Sequence, residues 1–592
     1  GEVLINELNC IACHAAEKQQ NNRFESRPAP VLFTSHNPTS AGWLKRWLDD
    51  PHNLKSGTIM PDLLHSLDQK NKAHAVEALR HYLVSITPPL GNQAVFIGDA
   101  NIGKKLYQTI GCAQCHSPDA KDNGKDFPLG ELQYKYKQAQ LIQFLLNPLH
   151  TRPAGRMPRV PMTKEEAGHI TAFLLSRAPL RKDAILAKSP AALKLREEGK
   201  VLYKKLRCAN CHITRDSNVL PIFSKPLAEL DLGQGCLSPK PPKVTPHFYL
   251  SAKQKKAITA ALNAKPATLT IKERAHRRMR QLNCIACHMR DGLGKTDPVR
   301  DQFFTTTGND LGDEGRLPPL LTGVGAKLTE SALHKVLRGE DAIRPYMATR
   351  MPDFGEAHAK FLVRNLSTAD VRTNVKPTPR EGDENKVGRN RYGRDLMGVK
   401  GLNCIACHQL DGHKSLGIQS VDLAHSPKRL RPEWFRDYLI NPAAFRPGTR
   451  MPSFWPGGRA VSPIFSRNTE RQIDSLWVYL NELEQTRLPE GLEKKSNFEL
   501  KPDKRPIVFR TFLEVAGTHA IAIGFPAGIH AAFDSENVGW SLVWRRKFLD
   551  AESTWDDRFT PLTKPLGTDV RSFPSGPTIA AALKDNKPWP KS

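Results

Sequence analysis

The chain has 592 residues, of which 39% are hydrophobic and 25% are charged, and its formal net charge is +27. This balance is typical of a folded globular protein and excludes a disordered chain, a collagen-like repeat and a bundle of transmembrane helices. A strongly positive charge is typical of proteins that bind nucleic acid or anionic membranes. The Lys and Arg residues are spread over the whole chain without a dominant cluster, however, which argues against DNA binding.

The segment that comes nearest to a membrane span, residues 515–533, is interrupted by Gly, His and Pro. We therefore predict no transmembrane segment. No signal peptide precedes the first cysteine motif, which begins at Cys10. We expect that the chain starts after processing or is a fragment.

Ten of the eleven cysteines fall into five copies of Cys-x-x-Cys-His. This spacing is typical of covalent c-type haem, in which the two thiols form thioethers with the haem vinyl groups and the adjacent His is the proximal iron ligand. Zinc sites of this kind need four ligands and thus paired motifs, and a thioredoxin-like site occurs once without an obligatory His. The sequence therefore predicts five covalently attached haems. The motifs are Cys10-Cys13-His14, Cys112-Cys115-His116, Cys208-Cys211-His212, Cys284-Cys287-His288 and Cys404-Cys407-His408.

A short helical pattern precedes each motif, and in three of these patterns a Gly lies nine residues before the first Cys, at Gly1, Gly103 and Gly199. A Gly on a helix face lets a second helix cross closely. Amphipathic segments that could be the crossing partners are predicted at 75–84, 169–176, 257–263 and 471–482. The alternative is that these are ordinary surface helices, but the fixed offset favours packing.

A second repeat places one Met-Pro pair between 41 and 63 residues after each of four motif histidines. A thioether is a soft ligand that suits haem iron and raises its potential. The sequence therefore predicts distal iron ligands at Met60, Met157, Met351 and Met451. Met162 and Met347 lie close enough to compete. The arginines before three of these methionines, at positions 156, 350 and 450, are either partners of haem propionates or solvated surface residues.

These features together resemble class I cytochrome c domains, and more closely the multidomain c-type cytochromes predicted in Planctomycetes and related bacteria. The resemblance covers most of residues 1–490 and rests on Leu-Asn-Cys-Ile-Ala-Cys-His at 8–14, 282–288 and 402–408, and on the Met-Pro segments 344–352 and 446–452. It implies a mainly α fold of five tandem class I cytochrome c-like helical domains. The predicted domains are 1–90, 91–185, 186–270, 271–382 and 383–500.

The third unit departs from the pattern, because no Met lies between His212 and Met279. The segment 245–251 reads like a Met-Pro loop in which Thr245 stands in place of Met. Two candidates for the distal ligand lie nearby: His247, since imidazole is a common haem ligand, and Cys236, the cysteine outside the motifs. An open iron and a residue not yet identified are the remaining alternatives.

From about residue 501 the sequence contains runs rich in β-branched and aromatic residues, as at 507–515, 519–525 and 540–544. We predict a small β-rich module over 501–592. It resembles the β-rich tail that follows haem units in the same group of cytochromes, and it contains no evident catalytic constellation.

The pattern as a whole predicts a multihaem electron-transfer protein with five haems, four of them with His/Met ligation. The resemblance implies a periplasmic or otherwise extracytoplasmic location, because covalent haem attachment takes place outside the bacterial cytoplasm. We expect redox partners with acidic docking surfaces, and a dehydrogenase or membrane complex is a further possible partner. One alternative is a haem enzyme, of the sulfur-compound oxidoreductase or peroxidase type, with the third haem as active site. Another is a docking subunit of a dehydrogenase complex.

Overall fold

The computed structural model describes residues 1–16, 23–24, 26–33, 40–88, 96, 98–121, 126–154, 156–177, 189–213, 224–238, 240–242, 245–264, 268–308, 311–341, 343–372, 386–492, 498–555 and 562–574. The chain divides into two units, Gly1–Gly491 and Leu492–Ser592. All five cysteine motifs lie in the first unit, whose described residues form helices and loops. Within the described residues, no helix has both the length and the apolar character needed to cross a bilayer.

The helices of the first 177 residues begin at residues that cap them. Asp99 accepts hydrogen bonds from the N–H groups of Asn101 and Ile102, and Thr163 forms a capping box with Glu166. The helices are α1 (Glu2–Glu7), α2 (Ala41–Asp49), α3 (Pro51–Leu54), α4 (Gln69–Ile86), α5 (Ala100–Thr109), α6 (Leu132–Lys135), α7 (Gln138–Leu146), α8 (Pro148–Thr151) and α9 (Lys164–Leu175).

Some of the remaining helices of the first unit are capped in the same way, and Ser251 and Thr270 form capping boxes. They are α10 (Pro190–Lys205), α11 (Ala252–Asn263), α12 (Ile271–Gln281), α13 (Asp313–Arg316), α14 (Val324–Lys327), α15 (Glu330–Leu337), α16 (Glu356–Ala369), α17 (Lys386–Met397), α18 (Ser426–Arg429), α19 (Pro432–Ile440), α20 (Pro442–Phe445) and α21 (Thr469–Asn481).

Each helix that precedes a motif packs against a second helix, and in four of the five pairs a Gly lies at the crossing. In the pair α5–α9, a Cβ atom at Gly103 would overlap the carbonyl oxygen of His169. In the pair α17–α21, Gly393 is in the same relation to Ser475. In the pair α12–α16, the helix that precedes the motif is α12, and it carries the fully buried Ala275 in place of a Gly. The predicted close helix crossing is therefore confirmed for Gly103.

The other two helix pairs connect the first part of the chain with the third. Helix α1 packs on α11, with Gly1 against Ala257, and α10 packs on α4, with Gly199 against Ala78. The crossings predicted at Gly1 and Gly199 are thus also present. The predicted boundaries 1–90 and 186–270 assign α4 and α10 to different domains, although Tyr203 of α10 belongs to the same buried core as α4.

The second unit contains an antiparallel five-stranded sheet in the order β2-β3-β4-β5-β7 and a separate pair β1-β6. Alternate residues of the sheet point to a core that includes Leu513, Ala522 and Trp544, all less than 1% exposed. The predicted β-rich module is confirmed, and β4 was absent from the predicted runs. The elements are β1 (Glu499–Leu500), β2 (Ile507–Leu513), β3 (Gly517–Gly524), β4 (Ile529–Asp534), β5 (Gly539–Arg545), β6 (Leu549–Asp550), α22 (Glu552–Trp555) and β7 (Thr568–Ser572).

Candidate haem-attachment sites

Each of the five motifs forms the same tight turn. The first three residues of the motif make a 3-10 helix, and the backbone N–H of the motif His donates to the carbonyl of the first Cys, at 2.9–3.1 Å in all five copies. This turn places the two thiols and the imidazole next to one another. It needs no help from the rest of the domain, which is why the motif is recognisable from sequence alone.

The residue before each motif has a positive φ, a region that Gly and Asn tolerate better than other residues. Asn stands there in three copies, with φ of 53° at Asn9, 58° at Asn283 and 54° at Asn403. Gly111 and Arg207 occupy the corresponding positions in the second and third copies. The repeated Leu-Asn-Cys sequence therefore has a conformational cause.

All five motif histidines are oriented in the same way, through a contact between Nδ1 and a backbone carbonyl. With Nδ1 bearing the proton and donating it, Nε2 is the nitrogen left with a lone pair for a metal ion. Burial lowers the pKa of four of these imidazoles, which favours the neutral form that binds iron. The carbonyls are those of Lys225 for His14 (2.8 Å), Phe127 for His116 (2.8 Å), Pro30 for His212 (2.8 Å), Pro319 for His288 (2.8 Å) and Val421 for His408 (3.1 Å).

The first thiol of each motif is removed from water. Burial raises the pKa of the first Cys of every motif to about 12, so these thiols are protonated and uncharged. All eleven cysteines, which lie within the described residues, are free thiols. Unlinked thiols beside a neutral imidazole fit covalent attachment of a haem, whose macrocycle is largely apolar.

Two lysines near these sites are suited to pair with anionic groups of a haem. The ammonium of Lys135 lies 4.6 Å from the ring centroid of Trp43, and that of Lys327 lies 4.5 Å from the centroid of Trp434. Burial lowers the pKa of both, to about 7 for Lys327. Among the described residues neither lysine has a carboxylate within ion-pair distance. Haem propionates are anions of the kind that would complement such cations.

The arginines singled out before the methionines are held by protein carboxylates. Arg350 makes two 2.7 Å hydrogen bonds with Glu166, and Arg156 pairs with Glu7. The backbone N–H of Arg450 donates to Glu314 at 3.2 Å. The side chains of Arg350 and Arg156 therefore have protein carboxylates as partners and do not need haem propionates. The two lysines were missed by sequence reasoning, since nothing in their local sequence marks them.

The predicted distal methionines lie in loops. Trp47 Nε1 donates to the Sδ atom of Met60 at 2.9 Å. Met157 and Met162 both pack on the core that contains Tyr107, so the second site retains two candidates. The role of these methionines as iron ligands stays a prediction, and so does that of Met351. The Sδ atom of Met347, which competes with Met351, lies 4.0 Å from a guanidinium nitrogen of Arg344. The backbone N–H of Met451 donates to Thr449 at 3.2 Å.

Three of the four Met-Pro loops take part in short antiparallel bridges. Arg159, two residues after Met157, exchanges both backbone hydrogen bonds with Asp353, two residues after Met351, at 2.8 Å each. Asp62, two residues after Met60, exchanges them with His247 at 2.9 and 3.0 Å. The position two residues before His247 is Thr245, which therefore stands where the other loops carry Met.

The two alternative ligands of the Met-less site lie in different surroundings. The ring of His247 is 4.0 Å from that of Tyr249 and 5.3 Å from that of His65. Cys236 lies in a 3-10 turn, Gly235–Leu237, whose Leu237 packs in one core with Cys10. The charge of Cys236, when ionised, contributes to raising the pKa of Cys10. The structure thus brings Cys236 to the first motif, whereas sequence reasoning assigned it to the third.

The motif turns also touch each other in two pairs. The amide Nδ2 of Asn210, inside the third motif, donates to the carbonyl of Ala12 at 3.0 Å and lies 3.6 Å from the Sγ atom of Cys13. Asn283, just before the fourth motif, lies 3.9 Å from the Sγ atom of Cys115. The first motif is therefore next to the third, and the second next to the fourth. No sequence signal marks these contacts.

Comparison with known proteins identifies one segment. Residues 100–178 match the family model described as Cytochrome c. The match spans α5, the second motif and α9, which pack together as one helical body. No curated protein and no solved structure matches the chain. A cytochrome c domain is thus present, and it implies a covalently bound haem c.

Proposed function

We propose that this c-type cytochrome is a multihaem electron-transfer protein with five covalent haems, one at each Cys-x-x-Cys-His motif. The observation that carries the proposal is the identical arrangement of all five motifs. Each has the same turn, a first Cys whose thiol pKa is raised by burial, and an imidazole held through Nδ1 by a backbone carbonyl. Only the second motif lies within the matched family segment. The other four reproduce its geometry residue by residue.

Haem iron, when bound, takes up and releases one electron between its ferric and ferrous forms. The chain supplies the rest: backbone carbonyls orient the proximal imidazoles, and the first thiol of each motif is held in partly or fully buried surroundings. Four Met-Pro loops would supply thioether ligands to bound haem iron, at Met60, Met157, Met351 and Met451. The contacts of Asn210 with Cys13 and of Asn283 with Cys115 support electron exchange within two pairs of sites.

The proposal includes an extracytoplasmic location, in the periplasm or beyond, because c-type haem is attached there. Its redox partners are proteins with acidic docking surfaces, since the chain carries a formal charge of +27. A dehydrogenase or a membrane complex would be a partner of this kind. The combined charge of each haem core and its propionates would lower the positive charge of the protein only in part.

The direct test is haem stoichiometry. The chain should be expressed with an export signal in a host that matures c-type cytochromes, and intact-protein mass and the pyridine haemochrome assay should give five haems per chain. Replacing both cysteines of any one motif by Ala should remove one haem. As a control, Cys236→Ser should retain five. A single haem that is lost only in the Cys112→Ala/Cys115→Ala variant would contradict the proposal.

A further inference from the structure

We infer that the first and third haem sites exchange halves, so that each is built from one motif and the loop-and-helix segment that follows the other motif. The motif at Cys10–His14 is completed by residues 224–238, 240–242 and 245–264. The motif at Cys208–His212 is completed by residues 26–33 and 40–88. This inference rests on the proposed haem attachment and adds the composition of two sites, including the assignment of Met60.

The third motif makes its contacts with the segment that follows the first motif. The Nδ1 atom of His212 meets the carbonyl of Pro30 at 2.8 Å. The backbone N–H groups of Ala29 and Leu32 donate to the carbonyls of Cys211 (2.9 Å) and Ile213 (3.3 Å). These bonds join the motif to a backbone about 180 residues away along the chain.

The helices around the third motif repeat this connection. Helix α10 crosses α4 at Gly199, and the rings of Tyr203 and Tyr82 lie 5.4 Å apart in the crossing. At the edge of the same contact, His74 and Glu198 are 2.8 Å apart. Cys208 packs on the core formed by α2 and α4. The apolar site beside this motif is therefore lined by the first segment.

The first motif is completed by the segment that follows the third. The Nδ1 atom of His14 meets the carbonyl of Lys225 at 2.8 Å. Ser224 and Leu227 donate their backbone N–H groups to the carbonyls of Cys13 (2.7 Å) and Ala15 (3.0 Å). Helix α1 packs on α11, and Ile5, Leu227 and Ile258 share one buried core.

The fifth motif shows the same arrangement without exchange. His408 Nδ1 meets the carbonyl of Val421, and the N–H groups of Ser420 and Leu423 donate to the carbonyls of Cys407 and Gln409, both at 2.9 Å. These donors are one residue before and two residues after the residue whose carbonyl the His contacts, as in the exchanged sites. The partner helix α21 follows in the same segment. The exchanged contacts are therefore the ordinary contacts of this kind of site, made by a different part of the chain.

The exchange reassigns the distal residues. Met60 becomes the distal ligand of the iron held by His212, and that site is an ordinary His/Met site. The Met-less loop at Thr245 belongs to the iron held by His14, together with the turn that carries Cys236. The atypical haem is thus attached at Cys10 and Cys13, not at Cys208 and Cys211.

Carbon monoxide binding to the reduced protein tests this assignment, because removing a distal Met opens one iron to the gas. Two parents are compared, Cys10→Ala/Cys13→Ala and Cys208→Ala/Cys211→Ala, each with and without Met60→Ala. The exchange predicts one additional CO per chain from Met60→Ala in the first parent and none in the second. Met451→Ala is the control and should add one in both parents. An addition in the second parent, or in neither, overturns the inference.

A second measurement avoids loss of a haem. In the intact five-haem protein carrying His74→Lys, zero-length carbodiimide coupling should join residue 74 to Glu198. The pair Lys45–Glu77, 2.9 Å apart on α2 and α4, is the internal control. A 45–77 product without a 74–198 product would overturn the exchange. Failure of the proposed function is distinguishable from this result, since it appears as a wild-type chain with fewer than five haems before any substitution is made.

Discussion

At the scale of single residues, the motif turn is the part that sequence predicts best. Thiols, imidazole and the preceding Asn or Gly all act within a few residues of each other, so their spacing is sufficient. The partners of the motif histidines could not be predicted. A backbone carbonyl has no side-chain signature, and the five residues that supply it are of four different types. They are Lys225, Phe127, Pro30, Pro319 and Val421.

The positive φ before the fifth motif gives a residue-scale prediction. Asn403 has a φ of 54°, where a β-branched side chain is strained. We expect Asn403→Val to lower the stability of this site by about 1–3 kcal/mol. Asn403→Gly should leave it nearly unchanged. The midpoint of thermal unfolding, followed by circular dichroism, measures the difference, and equal midpoints for the two variants would show that the turn tolerates either residue.

At the scale of elements, the predicted glycine offset identified the helix faces that cross but not which helices pair. A Gly only requires a neighbour whose backbone can approach, and the crossing positions Ala78 of α4 and Ala257 of α11 are equally small. Sequence order suggested that α1 pairs with α4, and the observed pairs are α1–α11 and α10–α4. Strand β4 was missed because its Ile529–Asp534 sequence contains two Ala and little β-branched character.

The crossing of α5 and α9 gives an element-scale prediction. A side chain at Gly103 would overlap the carbonyl of His169, so the helices must move apart. We expect Gly103→Val to destabilise the second haem site by about 1–3 kcal/mol, as overpacked sites do. Gly233→Ala is the matched control, since its nearest neighbour would be 3.4 Å away. A shared melting profile for both variants would contradict close packing of α5 on α9.

A buried ion pair between the fourth motif and α16 gives a second prediction at this scale. Arg290, 1% exposed, makes two hydrogen bonds to Asp370, at 2.9 and 2.7 Å, and one to the carbonyl of Leu321. Asp370→Asn removes the carboxylate that both terminal guanidinium nitrogens contact and leaves, among the described carboxylates, only the more distant Asp291, 3.7 Å away, so it should cost about 3–5 kcal/mol. Glu484→Gln, in an exposed pair with Lys428, should change stability by less than about 1 kcal/mol. Denaturant midpoints measure both losses of stability. A similarly small loss in the two variants would contradict the importance of the Arg290 pair.

At the scale of the whole molecule, the structure helps to interpret the net charge of +27, which composition alone did not explain. The charge is spread over the whole chain, and two lysines near the cysteine motifs, Lys135 and Lys327, are partly buried, which fits a protein that binds anionic groups. The structure also locates Cys236, the cysteine outside the five motifs, because its turn lies beside the first motif. Sequence order misassigned it because the chain returns to the first site only after passing through the second and third motifs.

The charge predicts a salt dependence of electron transfer. The rate constant for reduction by a small acidic redox protein should fall steeply as ionic strength rises, because screening weakens long-range attraction. Reduction by a small uncharged reductant is the control and should stay constant. Stopped-flow absorbance measures both reactions. A rate with the acidic protein that does not depend on salt would argue against electrostatic docking.

The central claim, that the chain is a carrier with five one-electron centres, is tested most directly by a coulometric reductive titration of the fully matured protein. We predict five electrons per chain, with four centres at the higher potentials of His/Met ligation and one separate from them. The separate centre should disappear in the Cys10→Ala/Cys13→Ala variant and persist in the Cys208→Ala/Cys211→Ala variant. Uptake of one electron per chain would contradict the account.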